Sequence, residues 1–278
     1  MNIGNWLTDT VRTLSDASIE TARLDALVLL EDCLGLDRAL LLAHLDRELT
    51  ESQLETLQAQ LARRYTHEPL AYIRGRTEFY GREFIVNQHV LEPRPETETM
   101  VTMLLGLPAT PNRLIVDVGT GSGALAVTAA CELPQNPVMA IDIDAECLEV
   151  ARQNAERHGA KITFAEGNLL EPLLAGLALA AADTGDIHAL LCNLPYVPQS
   201  FHINQAAAKE PPLAIFGGKD GLDLYRNLFE QVSQLARRPT YILTEALPEQ
   251  HGSLAGIAAK NNYRLTRNDD FVQTYMHV

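Results

Sequence analysis

One turn constrains this chain more than anything else in it. Asp117-Val118-Gly119-Thr120-Gly121-Ser122-Gly123 follows the apolar run Leu114–Val118 and opens a helical segment. Glycines at alternate positions let a backbone turn tightly and let a ligand press against it. A phosphate-binding loop uses the same device, but no Lys-Ser/Thr pair follows these glycines and the dinucleotide spacing is imperfect. Beyond the loop, short strand-like runs (Val138–Ile143, Ile162–Ala165, Ala189–Cys192, Tyr241–Thr244) alternate with helical patterns such as Ala145–His158 and Leu222–Leu235. That alternation predicts an α/β fold, a doubly wound, mostly parallel sheet that takes ligands at the carboxyl ends of its strands. Tyr263–Arg267 and Phe271–His277 read as a terminal pair of strands.

Upstream the period is helical. Trp6, Leu7, Val11 and Leu14 recur at helical spacing, as do Leu24, Leu27, Val28 and Leu30 before Gly35, a C-cap. Thr50 and Gln53 form a capping-box pattern ahead of Leu54, Leu57 and Leu61. Thr77–Asn87 reads as a β-hairpin around Gly81, and Glu92-Pro93-Arg94-Pro95-Glu96 cannot be helix interior. The expected organisation is a small all-helical domain at 1–75, a hairpin and Pro-rich linker at 76–98, and the α/β domain at 99–278.

Composition narrows the partners. A formal net charge of −14 disfavours holding nucleic acid by neutralising phosphates, so no direct nucleic-acid contact is expected. A basic protein partner is compatible with it. Cys33, Cys131, Cys147 and Cys192 have no metal-type spacing and read as reduced thiols. His44, His67, His158, His188, His202 and His251 show no metal spacing either. Ser122 is not flanked as a nucleophile elbow. No charged segment followed by an apolar core opens the chain, and the most apolar stretch, Leu169–Ala182, is too short to span a bilayer. A monomeric cytoplasmic protein without membrane contact is therefore expected.

Two constellations carry the chemistry. Asp142 ends the second strand, where an acidic side chain accepts both hydroxyls of a ribose and repels a phosphorylated one. Asp117 has two roles open to it, orienting the loop or meeting an ammonium group on the ligand. Gly167-Asn168-Leu169 follows the third strand, where an amide and an apolar face can bracket a base. After the fourth strand comes Asn193-Leu194-Pro195-Tyr196. An amide or aromatic amine nitrogen is a poor nucleophile because its lone pair is delocalised. The Asn193 side-chain oxygen and a following backbone carbonyl can accept its two N–H groups, and Tyr196 offers a flat wall. Held on line with a methyl group on a sulfonium, the nitrogen attacks directly, and positioning supplies much of the rate.

With these residues in view, the chain resembles the release-factor glutamine methyltransferase family along most of its length. Four stretches carry the resemblance: Glu68-Pro69-Leu70-Ala71-Tyr72-Ile73 with Gly75 and Glu78-Phe79; Pro93-Arg94-Pro95-Glu96-Thr97-Glu98; the Asp117–Gly123 loop; and Glu210-Pro211-Pro212 with Gly217-Gly218 and Asp220-Gly221-Leu222-Asp223. The resemblance implies a Rossmann-like methyltransferase domain behind a helical domain that engages a peptide chain release factor, the protein substrate. It implies S-adenosyl-L-methionine as cofactor, held by Asp117, Gly119, Thr120, Gly121, Ser122, Gly123, Asp142, Asn168, Leu169 and Asn193. The glutamine of a Gly-Gly-Gln loop would be held, and methylated, at Asn193, Leu194, Pro195 and Tyr196. The sequence departs from the family pattern at Leu194, where proline is usual, at Asn168, where Asp is common, and from Asn268 onward. Asn-Leu-Pro-Tyr also resembles the motif of ribosomal-RNA adenine dimethyltransferases, and a glutamine methyltransferase acting on a ribosomal protein shares the core motifs. A non-catalytic binder of a release factor or nucleotide is the alternative of a different class.

Overall fold

The computed structural model describes residues 1–176 and 186–278, so part of the apolar stretch Leu169–Ala182 lies outside the described residues. Among them, no helix is long and apolar enough to cross a membrane. The chain divides into two compact units, Met1–Arg76 with Ile203–Lys209, and Thr77–His202 with Glu210–Val278.

The first unit is helical: α1 (Ile3–Asp16), α2 (Ala22–Leu34), α3 (Arg38–Ala43), α4 (Glu51–Tyr65) and α5 (Leu70–Arg74). Each boundary has a local cause. Asn2 and Asp37 accept the backbone N–H three residues on, Thr50 and Gln53 form the expected reciprocal capping box, and Gly35 ends α2 in the left-handed region. Trp6, Leu29, Leu30, Leu41 and Leu57 meet in its core, each fully buried side chain contributing roughly 1.5–3 kcal/mol. Arg64 reaches the buried Asp25 at 2.7 Å, and Thr21 also bonds that carboxylate. Asp32 takes both Arg74 and Arg76, at 2.6 and 2.7 Å, and these partners draw its carboxyl below the ordinary range against the opposing effect of burial.

The second unit opens on the hairpin β1 (Arg76–Phe79) and β2 (Arg82–Ile85). Tyr80 and Gly81 both have positive φ, as a tight two-residue hairpin turn requires. Then come α6 (Glu98–Leu105), β3 (Leu114–Val118), α7 (Ala124–Glu132), β4 (Val138–Asp142), α8 (Ala145–Arg157), β5 (Ile162–Glu166), α9 (Glu171–Leu174), β6 (Ile187–Cys192), α10 (Asp223–Gln234), β7 (Tyr241–Glu245), α11 (His251–Lys260), β8 (Tyr263–Asp269) and β9 (Val272–His277). The seven-stranded sheet has the order β5-β4-β3-β6-β7-β9-β8, parallel from β5 to β7, with β9 antiparallel to β7 and β8 antiparallel to β9.

The parallel strands read as continuous apolar runs because both faces are covered. Every residue of β3, β4 and β6 is buried. Val116 and Val118 point into the core shared with Tyr225 and Phe229, and Ile115 into the opposite core with Phe79, Phe84 and Leu125, as alternation along a strand dictates. The strand order reverses at β3, between β4 and β6, which opens a crevice outside the carboxyl ends of these strands.

Candidate functional site

At the end of β3 the glycine loop is held by Asp117. Its Oδ2 accepts the Thr120 hydroxyl at 2.6 Å and the Ala126 N–H at 3.1 Å. These bonds orient the loop through Oδ2, and Asp117 also lines the cavity described below. Burial pushes its carboxyl up to about 7, against the pull of those two hydrogen bonds. Gly119, Gly121 and Gly123 all have positive φ. Gly121 has open space where a side chain would stand, whereas a Cβ on Gly123 would come within 3.0 Å of Ala151 in α8. Gly121 therefore leaves open space on the cavity side, and Gly123 permits the close approach of two helices.

Asp142 ties this loop to β4. Its Oδ2 accepts the Gly121 N–H at 2.8 Å and its Oδ1 the Asp144 N–H at 3.0 Å. Each carboxylate oxygen keeps a second lone pair for a ligand hydroxyl. Burial is the first cause of its raised carboxyl pKa. The next residue, Ile143, is a large apolar side chain left 62% exposed.

The end of β6 is built from backbone contacts. The buried Tyr225 hydroxyl lies 2.9 Å from the Cys192 carbonyl and 2.5 Å from that of Glu245, joining the ends of β6 and β7. Gln250 Nε2 donates to the Tyr196 and Asp220 carbonyls at 2.7 and 2.8 Å. The loop around Gly217 and Gly221 lies so close that a Cβ on either would stand 2.2 Å from the Pro195 oxygen or 2.0 Å from the Tyr196 oxygen. Asn193 Nδ2 donates to Thr97 Oγ1 at 3.0 Å. Leu194 packs onto the glycine loop, its Cδ2 3.1 Å from where a Cβ on Gly119 would be.

These parts enclose a cavity of about 320 Å³. Of the residues singled out in the sequence, it brings together Asp117, Gly119, Thr120, Gly121, Ser122, Asp142, Asn168, Leu169, Asn193, Leu194 and Pro195. Gly123 and Tyr196 are not among its lining residues. The Tyr196 hydroxyl instead donates to Glu245 Oε1 at 3.1 Å. The cavity is also lined by Ile143 beside Asp142, and by Arg94, Thr97 and Pro211 from the two Pro-rich stretches that carry the resemblance, to which sequence reasoning assigned no role of their own in the site. Arg94 pairs with the buried Glu210, which also accepts the Glu92 N–H at 3.3 Å, so the two Pro-rich stretches are bound to each other. Ile143, an apolar residue directly after the acidic strand end, was read in the sequence only as the last member of the run Val138–Ile143. The site can hold a ribose-bearing ligand at the glycine loop, and next to it an amide or amine whose N–H groups find the Asn193 oxygen.

Comparison with known proteins finds relatives for both units. Residues 5–75 match the family described as PrmC N-terminal domain and residues 97–194 the methyltransferase small domain. The chain is 34% identical over 255 residues to the release factor glutamine methyltransferase of Geobacter sulfurreducens, covering 90% of this chain and 86% of that one. It is 38% identical over 224 residues to the enzyme of the same name from Enterococcus faecalis, covering 79% and 77%. Among solved structures, a methyltransferase from Pyrococcus furiosus superposes with a TM-score of 0.51 at 14% identity, over 82% of this chain and all of that one, a likeness of fold alone. The matches run through both units and include the glycine loop and Asn193: the chain is a methyltransferase and belongs to the release factor glutamine methyltransferase family.

Proposed function

We propose that this enzyme transfers a methyl group from S-adenosyl-L-methionine to the side-chain amide nitrogen of the glutamine in a Gly-Gly-Gln loop of peptide chain release factors. One observation carries the reading: a single cavity is lined both by the glycine loop with Asp142 and by Asn193, whose side-chain nitrogen is already committed to Thr97. The residues fit the cofactor. Gly121 leaves room for it, Asp142 has lone pairs for the ribose hydroxyls, and Ile143 with Leu169 presents apolar surface to the adenine. When bound, the cofactor supplies an electrophilic methyl group on a sulfonium.

The protein's part is positioning. The Asn193 oxygen and the Leu194 carbonyl accept the two N–H groups of the glutamine amide and aim its nitrogen. A proton on that nitrogen leaves after attack, so no dedicated base is required. The helical unit recognises the release factor. Purified release factor incubated with the enzyme and labelled cofactor, then analysed by mass spectrometry, is expected to carry one methyl on that glutamine. Label on ribosomal RNA or on a ribosomal protein, with none on the release factor, overturns the proposal.

A further inference from the structure

The carboxyl group of Glu245 closes β7 behind Asn193 and is 1% exposed. Its Oε1 accepts the Tyr196 hydroxyl, while Oε2 has no hydrogen-bond partner of ordinary length. A buried carboxylate oxygen left bare is costly, and such a group calls for an explanation. The Thr97 hydroxyl and the Asn193 amide both face this carboxylate closely enough to favour its charged form.

Asn193 donates from Nδ2 to the Thr97 hydroxyl. A hydroxyl donates and accepts equally well, so Thr97 alone holds the Asn193 amide in either of two orientations related by a half-turn. Only one of them presents Oδ1 to a substrate amide. An ionised carboxylate accepts and never donates, so it tolerates the NH2 end of the amide beside it and repels the oxygen. We infer that Glu245 is a positioning residue for methyl transfer, its carboxylate fixing the Asn193 amide with nitrogen inward and Oδ1 toward the substrate.

The titratable groups facing Glu245 are Glu96, whose like charge raises its pKa, the Tyr196 hydroxyl, and the buried Tyr225 hydroxyl on the Glu245 carbonyl; Arg94 acts on Tyr196 in turn. Burial raises the Glu245 carboxyl most. The orienting charge is present above that raised pKa and is lost as pH falls through it, because a protonated carboxyl donates as well as accepts.

This assignment rests on the glutamine reading, and the test separates the two. Turnover at saturating cofactor is measured from about pH 5 to pH 9 for wild type, Glu245→Gln and Thr97→Val, beside cofactor binding by calorimetry. Glutamine has the shape of glutamate but donates and accepts, so Glu245→Gln is expected to lower kcat about 10- to 100-fold. It leaves KM for the protein substrate and cofactor affinity near wild type, and it loses the acid limb of the wild-type kcat profile. Thr97→Val keeps that limb and moves it to higher pH, since a polar group favouring the charged form is gone. Wild-type kcat in Glu245→Gln, or an acid limb unchanged in it, overturns the assignment. If Glu245→Gln also loses the cofactor, the Thr97→Val profile decides, and coincidence with wild type overturns the assignment. A wild-type enzyme that places no methyl on glutamine overturns the reading beneath it instead.

Discussion

At Asn193 one side-chain atom is spoken for and one faces work. With Nδ2 on Thr97, the oxygen is what the residue offers a substrate, and removing it removes an acceptor made for the reacting nitrogen. Asn193→Ala is expected to lower kcat about 100-fold or more, the scale on which one oriented partner is lost from a preorganised site, with cofactor affinity within several-fold of wild type. Titration calorimetry beside a turnover assay checks both, and unchanged turnover defeats the assignment. Asp142 divides differently, because its carboxylate holds the Gly121 N–H as well as facing the cavity. Asp142→Ala is expected to weaken cofactor binding by about 1.5–3 kcal/mol, the scale of hydrogen bonds to a charged group. Normal affinity in that variant removes Asp142 from the site.

Between elements, the acceptor turn is shaped less by its own four residues than by the Gly217–Gly221 loop laid against it. Val197 donates to the Ile215 carbonyl and Gly217 to the Val197 carbonyl, each at 3.0 Å, so the two loops pair like a fragment of sheet. Gly221 has positive φ and no room for a Cβ. Gly221→Ala is expected to destabilise the protein by about 2–4 kcal/mol, strain and overpacking together, read from the denaturant midpoint; an unchanged midpoint refutes the packing argument. The same contrast explains what the sequence made legible. The strands, the glycine loop and Asp142 were readable because apolar runs, left-handed glycines and an acidic strand end are local signals, and strand limits shifted by only a residue or two, as at Asp142 and Ile187. Thr97, Tyr225, Glu245 and Gln250 were not, because each meets its partner across a long stretch of chain, 96 residues for Thr97 with Asn193 and 54 for Gln250 with Tyr196. Tyr225 looked like an ordinary member of an amphipathic helix, and Glu245 fell one residue past the expected strand Tyr241–Thr244. No periodicity marks Ile203–Lys209 as grouping with the helical unit.

For the molecule as a whole, the formal charge of −14 hides a division between two kinds of acid. Asp32, Glu68 and Asp220 have arginine partners that lower their pKa values, so whatever they contribute is present above the ordinary carboxylate range and lost as pH falls. Asp117, Asp142, Glu210 and Glu245 are raised, with burial as the first cause, and their linkage runs the other way. Asp117 isolates this effect, because both of its hydrogen bonds go to the same oxygen, so Asp117→Asn keeps an acceptor for each. Folding lifts its carboxyl from 3.8 to about 7. Between those values the native state binds more protons than the unfolded chain, so stability falls with rising pH and levels off above about 7. The neutral amide has no such dependence. Melting curves of the ligand-free wild type and Asp117→Asn are therefore expected to lie close together near about pH 4 and to separate by about pH 8, with the variant higher, each kcal/mol of separation appearing as about 2–4 °C at this chain length. A gap that stays constant across that range would show that Asp117 is ionised in the folded protein throughout, and that the charge beneath the glycine loop is sustained by partners other than Thr120 and Ala126.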